Sequence, residues 1–176
     1  MAQLGIGIYK NTDVKIRWTP EIDLDGSGTF KLIGFGVLHD VKQWIPGLKL
    51  VPIEISAFAG YTNMKTEFFI DEDAGQRAEL NVDALVIQGL VSKKFSILTV
   101  YGGLGYSRAN TNFGLLGDFD IEGVDLPTDP INFDFKASSL RATAGLRIKL
   151  AILTIHGDYT LQEYNTLTVG VGFSVR

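Results

Sequence analysis

Apolar and polar residues alternate strictly along three segments at the C-terminal end of the chain, between residues 139 and 176. In the last of them, Val169, Val171 and Phe173 are separated by single glycines. A period of two is the repeat of a β-strand, in which successive side chains point to opposite faces of a sheet. Branched aliphatic residues fill one face of the three segments, and Gly, Ser, Thr and charges fill the other. This repeat is typical of a membrane-spanning β-barrel.

Alternation alone does not tell which face lies outside, because a soluble lipocalin-like barrel has the same repeat turned inside out. An aromatic residue ends the apolar face of four segments, at Trp18, Tyr61, Tyr106 and Tyr159. Rings repeated at one strand end are typical of the aromatic girdle at a membrane interface. Short and long connections also alternate along the chain, as expected of an outer-membrane barrel. Both features favour the membrane barrel.

Nine segments have the strand pattern, and the third of them has a blurred face. Long connections are expected at 63–77 and 109–134. The apolar residues of the fifth strand are expected to point outward. An odd count leaves the first and last strands parallel, whereas bacterial barrels usually have an even number of antiparallel strands. We therefore expect one all-β domain over residues 1–176, an up-and-down antiparallel transmembrane β-barrel of eight strands, with ten as the alternative. The residues expected to point outward on the fifth strand are Leu80, Val82, Ala84 and Val86.

Composition narrows the functional classes further. The chain has no Cys, which excludes disulfides and thiolate metal sites. Its net charge of −4 gives no case for nucleic-acid binding. No run of about 18 apolar residues exists, so no transmembrane helix is expected. Met1 leads straight into a strand, and a barrel must be exported, so we expect a mature or trimmed form.

Several motifs resemble those of Gram-negative outer-membrane β-barrel proteins. They are the Gly-rich alternating strands, the Gly-Tyr strand ends and the terminal Val-Gly-Val-Gly-Phe at 169–173. The block 39–60, with Lys-Gln-Trp-Ile-Pro-Gly at 42–47, is similar to an uncharacterised barrel family that looks distantly related to the FadL-like (long-chain fatty-acid transporter) barrels. The resemblance spans nearly the whole chain and implies an outer-membrane barrel, but its motifs name no substrate. Phe173 lies three residues before the terminal Arg176, whereas such barrels usually end in an aromatic residue.

Charged residues on the polar faces are expected to line the lumen. They would either select anions in a pore or pair with one another inside a closed barrel. His156 and Asp158 share a face and are expected to form part of this network rather than a metal pair, since no zinc-site spacing is present. We expect no metal, no cofactor and no enzymatic activity. The predicted lumen network is Lys15, Arg17, Glu54, Asp83, Arg141, Arg147, Lys149, His156 and Asp158.

The longest connection is unusually apolar for an exposed segment, which predicts a binding role at the outer end. Its expected binding residues are Phe113, Leu115, Leu116, Phe119, Ile121 and Leu126. The sequence favours an outer-membrane barrel that binds or passes small hydrophobic molecules. A closed structural barrel whose outer loops bind a partner and a soluble lipocalin-like carrier are the alternatives. The expected partners are the lipid bilayer, lipopolysaccharide and a small hydrophobic ligand, with no nucleic acid, and the chain is expected to be a monomer.

Overall fold

Every strand of the protein pairs in an antiparallel manner with its neighbours along the chain. The computed structural model describes residues 1–9, 11–71, 75–117 and 131–173, the side chain of Lys49 excepted. These residues form a single up-and-down sheet, which confirms the all-β antiparallel architecture. The strands are β1 (Ala2–Ile8), β2 (Thr12–Asp23), β3 (Gly28–Asp40), β4 (Glu54–Asp71), β5 (Gln76–Phe95), β6 (Leu98–Leu116), β7 (Ile131–Leu150), β8 (Leu153–Leu161) and β9 (Thr166–Phe173). Two short 3-10 helices, Lys42–Trp44 and Leu48–Leu50, connect β3 to β4.

The described residues contain nine strands, so the expected count of eight is wrong. The third segment is a genuine strand, because it pairs with β2 on one side and along its whole length with β4 on the other. With nine antiparallel strands, β1 and β9 run in the same direction. Within the described residues each of them pairs with one neighbour only, and the sheet is a curled half-barrel rather than a closed cylinder.

Tight turns join the strands at one end of the sheet. The β5–β6 and β7–β8 hairpins turn through two residues each, at 96–97 and 151–152, with positive φ at Ser96 and Ala151. Two-residue hairpins commonly require positive φ in the turn. Asn11 has the same backbone conformation between β1 and β2. We call this end the turn end.

The four central strands are longer than the sequence pattern predicted. β4 continues to Asp71 and β5 starts at Gln76, so most of the expected connection 63–77 is paired strand. β6 continues to Leu116 and β7 starts at Ile131, which shortens the expected connection 109–134 in the same way. Strands β4–β7 therefore rise past β8 and β9 at the end opposite the turns.

The outer, convex face of the sheet carries a continuous apolar band, which we call the belt. The belt crosses all nine strands, and the charged residue Lys93 lies on the same face at the turn-end margin of β5, in register with Val100. Many of its side chains are largely exposed, and Leu104 retains 74% of its accessible surface. The belt residues are Leu4, Ile6, Ile8, Val14, Ile16, Trp18, Ile33, Phe35, Val37, Ile55, Ala57, Ala59, Tyr61, Leu85, Ile87, Val91, Leu98, Val100, Leu104, Tyr106, Leu140, Ala142, Ala144, Leu146, Ile148, Leu153, Ile155, Tyr159, Leu167, Val169, Val171 and Phe173.

The side chains that are buried are polar. Apart from glycines, the buried residues of the described chain are five threonines and one glutamine, and none of them is apolar. A water-soluble domain has the opposite arrangement, with aliphatic residues most often buried. The buried side chains are Thr19, Thr62, Thr66, Gln88, Thr143 and Thr160.

The four aromatic residues that end the belt fall on one line across the sheet. Each ring lies closer to the turn end than the one before it, when positions are compared along the cross-strand register. The offset is two residues from Trp18 to Tyr61, two from Tyr61 to Tyr106 and four from Tyr106 to Tyr159. At about 3.3 Å per residue and about 4.8 Å between strands, this descent corresponds to a strand tilt of roughly 42°. Strands of membrane barrels tilt by about 35–45°. The four rings thus lie in one plane perpendicular to the axis of such a barrel, and we call them the aromatic row.

Beyond the aromatic row, the two faces of the sheet exchange their polar and apolar residues. We call this part of β4–β7 the extension, comprising residues 62–71, 76–84, 107–116 and 131–139. Its convex face is polar, and its concave face is mostly apolar. The polar convex residues are Asn63, Lys65, Glu67, Glu79, Asn81, Asp83, Arg108, Asn110, Asn112, Asn132, Asp134 and Lys136.

This reversal corrects the predicted outward face of β5. Leu80, Val82, Ala84 and Val86 pair in register with concave-face residues of β4 and therefore point inward. The outward apolar residues of β5 are instead the belt residues of its turn-end half. The prediction was wrong because one face was extrapolated along the whole strand, whereas β5 changes its apolar face at the aromatic row.

Glycines make room for large side chains on the concave face of the belt region. A Cβ added to Gly34 would lie 2.8 Å from Nε of Arg17, and one added to Gly145 would lie 2.4 Å from the ring of Tyr101. A Cβ added to Gly105 would meet the backbone carbonyl oxygen of Ile87 at 2.4 Å. Alternating small and large residues in this way fills the interior of a narrow barrel.

Candidate functional site

Eight of the nine residues predicted to line the lumen lie on the concave face. They come from β2, β4, β7 and β8, and the register places their side chains on the same face as the buried threonines. These residues are Lys15, Arg17, Glu54, Arg141, Arg147, Lys149, His156 and Asp158.

Asp83 is the exception, and its predicted position in the lumen is wrong. It lies on the convex face of the extension, where it accepts hydrogen bonds from the hydroxyl of Tyr61 and, at 3.0 Å, from the side-chain amide of Asn63. The misplacement has the same origin as the inverted face of β5, since Asp83 alternates with Ala84 and Val82 along that strand.

The acidic residues expected to neutralise the lumen cations are engaged elsewhere. Glu54 lies at the turn end and pairs with Lys42 at 3.4 Å. Asp158 accepts a hydrogen bond of 3.1 Å from the hydroxyl of Tyr101. In the described part of the chain, Lys15, Arg17, Arg141 and Arg147 form no salt bridge. The closed network of ion pairs that was one of the two expectations is therefore absent from these four cations.

Three of these cations line one cavity on the concave face of the belt region. The cavity has a volume of about 170 Å³ and is bordered by β1, β2, β3, β4, β5 and β7. Arg17 on β2 and Arg141 on β7 are close enough for their like charges to repel across it. The curl of the sheet thus brings distant strands to one site. Its polar lining residues are Gln3, Lys15, Arg17, Gln88 and Arg141.

Two residues that line this cavity each have a buried hydrogen-bond donor without an acceptor among the described residues. Gln88 is 6% exposed, and its buried Nε2 has no partner among the described residues. The buried Nε of Arg141 likewise has none. The residue Gln88 was missed by the sequence analysis, which searched the polar faces for charged groups and placed the turn-end half of β5 in the wrong orientation.

A second feature of the interior lies above the cavity, on the concave face of the extension. Phe133 and Phe135 are 65% and 63% exposed there, and Phe113 pairs with Phe133 from the neighbouring strand. Smaller apolar residues of β4 and β5 continue this surface. We call it the aromatic vestibule, formed by Met64, Phe68, Leu80, Val82, Phe113, Leu115, Ile131, Phe133 and Phe135.

The structure redistributes the residues that were predicted to bind ligands from the outer loop. Phe113, Leu115 and Leu116 belong to strand β6, so their expected position in a loop is wrong. The first two face the vestibule, whereas Leu116 has the parity of the convex face. Phe119, Ile121 and Leu126 lie outside the described residues. The phenylalanines of β7 were assigned to the connection and missed, although the alternation of Ile131, Phe133 and Phe135 is a strand signal.

The convex face of the extension is held together by cross-strand polar pairs. Lys65 bonds Glu67 at 2.9 Å and Glu79 at 3.2 Å. The bond to Glu67, aided by Glu79, raises the pKa of the Lys65 ammonium above its usual value. Asn112 donates hydrogen bonds to Asn132 and to Asp134 on β7. These side chains form hydrogen bonds with one another, and such polar groups are compatible with contact with water.

In the described part of the chain, no cluster of three or more His, Asp or Glu residues has the arrangement needed to hold a metal ion. No described helix is long and apolar enough to cross a membrane. No curated protein and no solved structure matches the chain in a comparison of sequence or of fold. One family model matches residues 1–175, and the chain therefore belongs to DUF6588, a family of unknown function.

Proposed function

We propose that this protein is an outer-membrane β-barrel protein that binds small hydrophobic molecules in the aromatic vestibule and delivers them toward the bilayer. The observation that carries the proposal is the reversal of the two faces at the aromatic row. Below the row most apolar side chains point out and most polar ones point in. Above the row the arrangement is that of a protein surrounded by water.

The belt supports contact with lipid because exposing so large an apolar surface to water is unfavourable in free energy. Monomeric soluble proteins rarely expose a contiguous apolar patch larger than a few hundred Å². The belt instead spans nine strands, and on β7 it extends over nine residues, from Leu140 to Ile148. At a tilt of about 42° this length corresponds to a height of roughly 20 Å, close to the about 25 Å apolar band of outer-membrane barrels.

The same observation argues against the soluble lipocalin-like carrier. Such a carrier holds its ligand in an apolar interior that extends through the barrel. Here the interior of the belt region is lined mainly by Thr, Gly and basic residues, with single apolar side chains such as Phe58 and Val86, and most of the apolar interior lies in the extension. A carrier in water would also have to expose the whole belt to solvent, at an unfavourable free energy of about 25 cal/mol for each Å².

The vestibule supports the binding of hydrophobic molecules. Ligand sites are concave and mostly apolar, with aromatic side chains in their lining. Phe133 and Phe135 have this character, and their large exposed fractions leave ring surface available for a ligand. The vestibule opens at the end with the long strands, which becomes the outer side if the tight turns face the periplasm. Lipopolysaccharide contact and a monomeric state remain predictions.

The membrane placement can be tested with single tryptophans. The chain has two, Trp18 and Trp44, and both are first replaced by Phe. One variant then carries Leu146→Trp in the belt, and the matched variant carries Asp134→Trp on the same strand and the same face of the extension. In vesicles containing brominated acyl chains, we expect strong quenching of the first tryptophan and little quenching of the second. Equal quenching of the two would defeat the proposed placement.

The binding role can be tested with the fluorescent probe N-phenyl-1-naphthylamine. The double variant Phe133→Ser/Phe135→Ser is expected to bind it at least tenfold more weakly than the parent. The matched control is Asn132→Ser, which changes the opposite face of the same strand and should leave binding unchanged. Unchanged probe binding in the double variant would show that the vestibule is not the site. Deletion of residues 118–130 then tells whether that connection contributes to binding or covers the vestibule without a ligand.

A further inference from the structure

We propose that the concave-face cavity of the belt region is a binding site for an oxyanion, the phosphate or carboxylate group of a small molecule. This site is distinct from the aromatic vestibule, which would bind apolar surface. The proposal rests on the donors that converge on the cavity, on the two of them that have no internal acceptor, and on the space between them.

The cavity is lined by groups that donate hydrogen bonds to anions. Lys15 and Arg17 reach it from β2, Arg141 from β7 and Gln88 from β5. A guanidinium group presents several donors in a planar fork that matches a carboxylate or a phosphate, and an ammonium group adds a point charge. No acidic residue lines the cavity within the described part of the chain.

Two of these donors are left without a partner. Nε2 of Gln88 and Nε of Arg141 are buried, and neither donates a hydrogen bond to any described residue. A buried polar group without a hydrogen bond destabilises a fold, and more so when the group is charged. An oxyanion seated between β5 and β7 would supply the missing acceptor to both groups.

The charges around the cavity also favour an anion. Arg17 and Arg141 repel each other across the interior, and Lys15 and Arg147 repel each other in the same way. Asp13 and Asp158 attract Lys15 and Arg141 respectively, but neither acid forms an ion pair with them. A bound anion would offset this repulsion where the acids of the chain do not.

Glycines keep the cavity open. Gly34, Gly36 and Gly60 are among its lining residues. A Cβ at Gly34 would approach Arg17 at 2.8 Å, and a Cβ at Gly60 would approach the ring of Phe58 at 2.7 Å. The volume of about 170 Å³ equals that of about five to six water molecules in the liquid, at about 30 Å³ each. This is enough for a small oxyanion group with part of its hydration.

The site is tested with the full chain refolded in dodecyl maltoside, a detergent without phosphate or carboxylate. Inorganic phosphate, acetate and dihexanoyl phosphatidic acid are titrated separately by calorimetry, with chloride holding the ionic strength constant. Binding of phosphate or acetate indicates a site for free anions, and binding of the short lipid alone indicates a site for a lipid headgroup. If none of the three binds more tightly than chloride, the proposal is wrong.

Variants connect the binding to the cavity. Arg141→Gln and, independently, Lys15→Gln should each raise the dissociation constant of the bound anion at least tenfold. The matched control is Lys31→Gln, which removes an exposed lysine paired with Glu21 at 3.8 Å and should leave the constant unchanged. Heat-dependent mobility on gels verifies that each variant is folded. Unchanged binding in both cavity variants would overturn the assignment.

The substitution Gln88→Glu should weaken anion binding but increase the thermal stability of the anion-free protein. It places an acceptor and a negative charge beside Arg141 without changing the shape of the side chain. We expect it to abolish anion binding and to raise the midpoint of thermal unfolding in the absence of anion. In the parent, saturating anion should raise the same midpoint, since a ligand that binds only the folded state stabilises it. A parent midpoint that does not respond to anion would contradict the proposal.

Discussion

The extension continues four of the nine strands of the belt region, yet the two regions place their apolar residues on opposite faces. On β5, Leu85 and Ile87 point outward below the aromatic row, and Leu80 and Val82 point inward above it. β6 and β7 change face in the same way. Since the backbone alternation continues unbroken through the change, the difference lies in the surroundings of each region and not in the fold.

This comparison shows how one sheet adapts to two environments. An apolar side chain is stabilised by leaving water, and either lipid or the interior of the protein provides the alternative. In the belt region the outer face takes most of the apolar residues, and the interior is filled mainly by Gly, Thr and basic side chains. In the extension the outer face takes Asn, Asp, Glu and Lys, and the interior becomes the vestibule. The aromatic row marks the level at which the solvent changes.

The largest effect is expected when a charge is placed in the belt. Ala144 lies near mid-height of the belt on β7, and Ala144→Arg should destabilise the barrel in lipid vesicles by about 2–4 kcal/mol. The matched substitution Asn110→Arg, at an exposed position on the convex face of the extension, should change stability by less than about 0.5 kcal/mol. Urea unfolding of both variants measures the difference. Similar costs at the two sites would break the distinction between the regions.

A smaller effect is expected from overpacking the interior of the belt region. Gly105→Ala would place a Cβ 2.4 Å from a backbone carbonyl oxygen, which cannot rotate away. Overpacking of this kind destabilises by about 1–3 kcal/mol. Gly172→Ala is the control, because a Cβ at Gly172 has no neighbour within 4 Å. If the two variants unfold at the same urea concentration, the interior is looser than the structure indicates.

The smallest effect is expected on the outer face of the extension. Lys65→Gln removes two exposed ion pairs and should destabilise by about 0.2–1 kcal/mol, since water and salt screen such pairs. Because the folded pKa of Lys65 is raised, its contribution is present below the unfolded pKa and disappears as the pH rises through the folded pKa. The difference in unfolding between parent and variant should therefore be smaller at a pH above the raised folded pKa of Lys65, which exceeds 10.5, than at pH 7. A large effect that is independent of pH would show that Lys65 is not in a watery environment.

The sequence predicted the strands of the belt region well because their alternation is regular. The three C-terminal strands and the positions of the aromatic row were read directly from the period of two. The extension was read as two long connections because Asn, Asp, Glu and Lys occur at every second position there, and these residues are typical of loops. Their alternation with Met64, Leu80 or Phe133 indicates strands just as clearly, but only if a change of face along one strand is considered.

The candidate site was recovered only in part. The basic residues at Lys15, Arg17 and Arg141 were identified, because charges on a polar face are conspicuous in the alternation. Their acidic partners were assigned by sign alone, and the structure shows Glu54 and Asp83 bonded elsewhere. Gln88 was missed because a neutral amide acquires significance only when it is buried without an acceptor.

The sequence by itself determined the class of the fold, since the period of two is a local property of each strand. It also determined which residues of the belt region share the apolar face and which share the polar face, because alternation continues from one residue to the next. The tertiary structure alone decided which strands face each other across the interior, where Arg17 on β2 approaches Arg141 on β7. It also decided the number of strands and the level at which the faces reverse. These features depend on the curl and register of the whole sheet, which bring together residues separated by more than a hundred positions in the chain.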